Sequence, residues 1–213
     1  MIKLQLLSIS MFAIIISCSA QQSVNIYKKD IAGITLKMPL DEAMLLAWEA
    51  VGYDRPSALK DNKDLPEPNK LALILTPSTS GDRYTTYNES DEILTFNLRY
   101  DDTRMCVKAV RSSDERQALV YEVSYEIVDK GNVATATDMG KSALKKFGAP
   151  SYGQELDGRY YYGWCQDVAD HGGCEVNSAF IRISSQELIM QDLALFAEYQ
   201  QKLNQSRKVK SKF

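Results

Sequence analysis

The sequence predicts an α+β fold built from two tandem helix-plus-antiparallel-sheet units, with a helix packed on one face of each sheet. Three observations lead there. Two amphipathic stretches, around residues 40–51 and 139–147, each close on a glycine. Each is followed by short runs rich in Val, Ile, Tyr and Phe, separated by turn residues. The punctuation also repeats: Val51-Gly52 and Phe147-Gly148 end the two stretches, and Pro56-Ser57 and Pro150-Ser151 follow them.

Taken in order, the chain opens with a secretory signal over residues 1–20. Lys3 supplies the positive start, Leu4 to Ile16 is an almost unbroken apolar run, and Ser17, Cys18, Ser19 and Ala20 are small. The run is shorter than the roughly 20 residues a membrane span needs. Two cleavage sites compete. Ile15-Ile16-Ser17-Cys18 resembles a lipobox, which would make Cys18 the lipidated terminus. Cys18-Ser19-Ala20 instead suits an ordinary signal peptidase that releases Gln21.

The first unit is expected over residues 21–115. A strand is expected at Gly33-Ile34-Thr35-Leu36. Pro39 then opens a helix with Asp41 and Glu42 in its first turn and Leu40, Met44, Ala47, Trp48 and Val51 as one apolar stripe. A charged loop punctuated by Pro56, Pro66 and Pro68 leads to an expected strand over Leu71 to Thr76. Ile93 to Tyr100 and Met105 to Val110 read as a hairpin turning at Asp101-Asp102.

The second unit is expected over residues 116–205. Leu119 to Val128 reads as a strand, Met139, Ala143, Leu144 and Phe147 as one face of a helix, and Tyr160 to Cys165 and Ser178 to Ile183 as strands. The end is ambiguous. Ser184 and Glu187 have capping-box spacing, while Glu187 to Leu193 reads equally well as a last strand; residues 194–205 are helical either way. Residues 206–213 form the end of a basic tail, read as solvated and disordered, although its lysines would also suit an anionic surface.

Composition bounds the function. With 25 basic and 28 acidic residues, the chain is mildly acidic, which argues against a nucleic-acid partner. In an oxidising compartment, Cys165 and Cys174 form the natural bridge and leave Cys106 as a free, buried thiol. The same segment, with His171, Asp167 and Asp170, can be drawn as a zinc site, but its spacing fits no standard finger, so no metal or cofactor is expected. His171 is the sole histidine, and no nucleophile elbow or phosphate loop is present, so no enzyme is expected. A pair of carboxylates acting on cell-wall sugar is the catalytic alternative.

The densest constellation is Tyr160-Tyr161-Tyr162-Gly163-Trp164-Cys165. On a strand, Tyr160, Tyr162 and Trp164 share one face. That face is either an exposed protein contact surface or a layer packed under the second helix, and it is the candidate binding site.

Residues 31–53, from Ile31-Ala32-Gly33-Ile34 through Met38-Pro39-Leu40-Asp41-Glu42-Ala43 to Val51-Gly52-Tyr53, resemble the opening of the small modules found in bacterial outer-membrane assembly lipoproteins and secreted β-lactamase inhibitor proteins. Lys37 stands where those modules usually have glycine. The resemblance implies protein binding through a sheet surface and no chemistry. The reading is therefore a non-catalytic exported protein of the periplasm or cell envelope, with a possible lipid anchor to the outer membrane at Cys18 and another envelope protein as its partner. An inhibitor or immunity protein that blocks a secreted enzyme is the alternative of the same class.

Overall fold

The computed structural model describes residues 22–50, 84–90, 93–100, 102–111, 117–128 and 133–210; for 84–90 only the backbone path is described. The expected lipidation site at Cys18, the Gly52 cap and the expected strand over Leu71 to Thr76 lie outside these residues.

The fold is mixed α+β and mostly antiparallel sheet. After a short 3-10 turn at Ile26–Lys28, helix α1 runs over Leu40–Ala50. Strands β1 (Tyr84–Ser90), β2 (Ile93–Tyr100), β3 (Thr103–Arg111) and β4 (Ala118–Ile127) follow. Helix α2 (Val133–Phe147) leads to β5 (Tyr152–Leu156), β6 (Arg159–Cys165), β7 (Ala179–Ser184) and β8 (Glu187–Asp192), and α3 (Leu193–Lys210) ends the described chain. The strands form one eight-stranded sheet in the order β1-β2-β3-β4-β8-β7-β6-β5. Where the sequence suggested two sheets, the described strands form one, joined by the antiparallel pairing of β4 with β8.

Register explains which side is core. Phe96, Val107, Val123, Met190, Ile181 and Trp164 stand side by side across six strands, each with no exposed surface. The next row on that face is Leu98, Met105, Tyr125, Leu188, Ile183 and Tyr162. Helices α1 and α2 cover these rows and share one core with them. A sheet with one buried face needs this strict alternation, because a one-residue slip would expose every apolar side chain.

The helices are placed by their own chemistry. Asp41 and Glu42 sit in the first turn of α1, and Leu40, Ala43, Met44, Ala47 and Trp48 are buried beneath it. Helix α2 carries Lys145 and Lys146 in its last turn and stops at Gly148 (φ 86°), whose N–H donates to the Leu144 carbonyl at 2.9 Å. Gly140 lets α2 lie directly on β6, since a Cβ there would stand 2.1 Å from Cδ2 of Tyr160.

Several elements differ from the sequence reading. Ile31 to Ile34 forms a two-residue turn with Ala32 and Gly33 at positive φ (55° and 83°), closed by paired backbone hydrogen bonds of 3.0 Å, in place of a strand at Gly33 to Leu36. Ser184 and Glu187 are not a capping box: they pair across the β7–β8 turn. The cap of α3 is Asp192, whose Oδ1 accepts from the Leu195 N–H at 2.9 Å. Helix α3 continues to Lys210, through the start of the tail read as disordered from residue 206.

The segment before α1 runs along one end of the sheet. Val24 N–H donates to the Cys165 carbonyl at 2.7 Å, and Lys37 N–H to the Val120 carbonyl at 2.8 Å, so it ties β6 to β4. Beneath it, the fully buried Asp192 lies beside Tyr27 and 3.8 Å from the Lys37 ammonium. Burial and the Asp192 charge push the Tyr27 hydroxyl up to about 12.

Candidate functional site

Tyr160, Tyr162 and Trp164 do not form an exposed contact surface. Tyr160 is 6% exposed, Trp164 is fully buried, and Tyr162 packs against the same core. The Trp164 indole N–H donates to the Gly148 carbonyl at 3.0 Å, and its ring meets Phe147 edge-on with centroids 5.3 Å apart. Of the two roles that the sequence leaves open for the three aromatics, they take the packed one. They are the layer on which α2 sits, and period-2 spacing alone does not say which face a helix will cover.

Cys165 and Cys174 stand at disulfide-bonding distance, with Cα atoms 5.0 Å apart, and close the loop that follows β6. His171 lies exposed in that loop. Among the described residues, no group of His, Cys, Asp and Glu side chains is arranged to hold a metal ion, and no helix is long and apolar enough to cross a membrane.

The opposite face of the sheet has the other half of each strand's residues. Asn97, Cys106, Ser124, Ile189, Arg182, Gly163 and Tyr152 form one row across seven strands. On one side of it runs Thr95, Lys108, Glu122, Gln191 and Phe180; on the other run Arg104, Glu126, Glu187, Ser184 and Tyr161. Helix α3 covers only one end of this face. There Leu195, Phe196, Tyr199 and Leu203 pack on Ile93, Val110 and Tyr121, and Tyr121 stacks on Phe196 at 5.0 Å. The register shift between Lys108 and Ala109 leaves Tyr121 as the extra residue of a bulge, which turns its ring toward α3.

Among the described residues, no helix lies over the β5–β8 half of this face. Tyr152, Tyr161, Phe180 and Ile189 are half-buried there, and Arg182 is exposed. Nearer β3 the charges are paired. Lys108 Nζ lies 2.6 Å from Glu122, whose other oxygen accepts from Gln191 at 2.8 Å, and Arg104 pairs with Glu126. Burial opposes the Lys108 charge, but the hydrogen bond and charge of Glu122 outweigh it and hold the ammonium above its ordinary range. Burial pushes the neighbouring Cys106 thiol up to about 11, as suits an unreactive cysteine.

A cleft of about 180 Å³ lies between α2 and the turn at Asp30 to Ala32, with Tyr125 and Leu188 among its lining. Its lining is mainly apolar, and its charged groups, Lys146 and Asp30, already pair at 2.6 Å. It therefore presents neither an activated nucleophile nor an unmatched charge.

Of the residues that make the open face distinctive, Tyr161 and Gly163 belong to the aromatic constellation of the sequence, whereas Arg182, Phe180, Tyr152 and Ile189 carry no local signal. Arg182 and Phe180 are ordinary members of a strand, and Tyr152 and Ile189 fall outside the aromatic run. The usable signal was the complement of the apolar alternation: once Ile181 and Ile183 are assigned to the core, Phe180 and Arg182 must face away from it. No protein-family model, no curated protein and no solved structure matches the chain.

Proposed function

We propose that this is a non-catalytic, exported envelope protein that binds another protein through the β5–β8 half of its outer sheet face, which no described helix covers. The observation that carries the reading is that face: half-buried Tyr152, Tyr161, Phe180 and Ile189 interleaved with polar and charged side chains, on a rigid eight-stranded support. A centre of aromatic and aliphatic groups with a polar surround is the usual anatomy of a protein interface. Two features support the architecture suggested by the sequence resemblance. Helices α1 and α2 each come before a meander of four strands, and the last strands of the two meanders, β4 and β8, pair with each other. On this reading the chain is a duplicated unit whose copies share one sheet.

Export belongs to the same proposal. The bridged Cys165 and Cys174 fit an oxidising compartment, and the leader at residues 1–20 would leave either a lipid on Cys18 or a free terminus at Gln21. The intact mass of the native protein distinguishes these: a lipidated Cys18 gives an anchored envelope protein, an unmodified Gln21 gives a free periplasmic one, and retention of the leader ends the export reading.

The binding test is photo-crosslinking in the native cell envelope, with a probe placed at Ser184 on the open face and, as a control, at Val176, which is 77% exposed in the loop between Cys174 and β7. A defined adduct from Ser184 that Ile189→Arg abolishes is the expected result. An adduct from Val176 alone would move the interface to the loop, and turnover of cell-wall glycan lost on replacing one acid would replace binding with catalysis.

A further inference from the structure

Arg182 stands out on the open face for what it lacks. The two other cations nearest the centre of that face, Arg104 and Lys108, pair with Glu126 and Glu122. Arg182 is exposed, and among the described residues it meets the Phe180 ring, with the guanidinium carbon 5.9 Å from the centroid. The ring orients the guanidinium without neutralising it. Its cross-strand neighbours are Ile189 on β8 and Gly163 on β6.

Gly163 shapes the other side. A Cβ there would stand 2.2 Å from Cε1 and Cζ of Tyr152 and 2.5 Å from its hydroxyl oxygen. The Tyr152 ring therefore leaves the edge strand β5, crosses onto β6 and ends with its hydroxyl over the residue paired with Arg182. A guanidinium beside an aromatic ring, a phenol hydroxyl and a flanking isoleucine thus share one patch. Guanidinium and phenol both donate hydrogen bonds, so the chemistry that completes the patch is an acceptor carrying negative charge.

Resting on the reading of this face as the binding surface, we propose that Arg182 is its anchor: it receives an aspartate or glutamate side chain from an acidic segment of the partner protein, with Tyr152 as second donor. A carboxylate matches the planar fork of arginine in a way that a backbone carbonyl or a neutral amide does not. Arginine and tyrosine between apolar neighbours are also the residue types in which binding energy concentrates.

The probe is a phage-displayed library of random dodecapeptides, selected on the full exported chain. Peptides that compete for the open face should carry an Asp or Glu whose replacement by alanine weakens binding at least tenfold. That penalty should vanish on Arg182→Ala protein, and a Lys at the same peptide position should restore binding to Arg182→Glu. Arg182→Lys should recover only part of the affinity. Because Arg182 is exposed, each variant should melt near wild type, which separates a lost contact from a lost fold. Peptides blocked by Ile189→Arg but indifferent to Arg182→Ala would overturn the anchor and leave the open-face reading intact. If selected peptides are unaffected by Ile189→Arg and Tyr161→Ala, the open face itself is not the binding surface. Concentration-dependent dimerisation abolished by Arg182→Ala, read by sedimentation, would identify the occupant as a second copy and overturn a separate acidic partner.

Discussion

Replacing Gly140 in α2 by alanine should destabilise the protein, against the ordinary rule for helices. Alanine is favoured over glycine in a helix interior by about 1 kcal/mol, so an exposed site would gain. At Gly140 the added methyl would lie 2.1 Å from Cδ2 and 2.3 Å from Cγ of Tyr160. Those atoms are at the root of the ring, and Tyr160 is 6% exposed with Tyr162 packed beside it at 5.7 Å, so the ring has no free volume to turn into. Relief requires α2 to lift from β6 by more than 1 Å, since ordinary contacts begin near 3.5 Å. Overpacking of this kind costs about 1–3 kcal/mol. Set against the helix gain of about 1 kcal/mol, the net loss reaches about 2 kcal/mol, or a drop in Tm of up to roughly 8 °C for a chain of this length. Urea denaturation of Gly140→Ala, Tyr160→Ala and the double variant tests it. In the Tyr160→Ala background the same glycine replacement should stabilise, because the obstructing ring is gone and only the helix preference remains. A stabilising effect of Gly140→Ala in the otherwise wild-type chain would refute the seating of α2 on β6.

Two further outcomes follow from burial. Trp164→Ala should cost about 3–5 kcal/mol of stability and Trp164→Phe distinctly less, because both lose the 3.0 Å bond to Gly148 but phenylalanine keeps part of the buried ring; a wild-type melting curve for Trp164→Ala would restore the exposed-aromatic reading. Cys106 should react with iodoacetamide at pH 8 about a hundredfold more slowly in the folded chain than in urea, because burial moves its pKa from 9.0 to about 11. The sign for stability follows: a raised folded pKa means a contribution present below the unfolded value and lost as pH rises toward 11, so Cys106→Ser should flatten alkaline unfolding.

The helices were legible because helical periodicity and local end signals agree. Leu40, Met44, Ala47 and Trp48 are all buried as their spacing required, and Gly148 stops α2 at the expected residue. The inner strands were legible for the same reason, since Leu94, Phe96 and Leu98 alternate into the core. Strands β1 and β5 were not, because they are the two edges of the described sheet. Their sequences, Tyr-Thr-Thr-Tyr-Asn-Glu-Ser and Tyr-Gly-Gln-Glu-Leu, are mainly polar and carry no clean apolar alternation. The joining of two meanders into one sheet was invisible for a different reason. It rests on backbone pairing between β4 and β8, and backbone groups are the same whatever the side chains. The face of the Tyr160 to Trp164 aromatics depended on where α2 would land, which no local pattern encodes.

The β4–β8 pairing also sets an order of assembly. A chain made from its N-terminus completes β1 to β4 long before β8 exists, for β4 ends at Ile127 and β8 begins at Glu187. Over that interval the outer edge of β4, with Val123 and Tyr125, is an unpaired template in the middle of the future sheet. Another chain in the same unfinished state offers the same template, and a finished chain whose β8 has detached offers the strand that fits it. Exchange of β8 between two copies is therefore the misassembly this connectivity invites, and slow emergence of the second half lengthens the time in which it can occur.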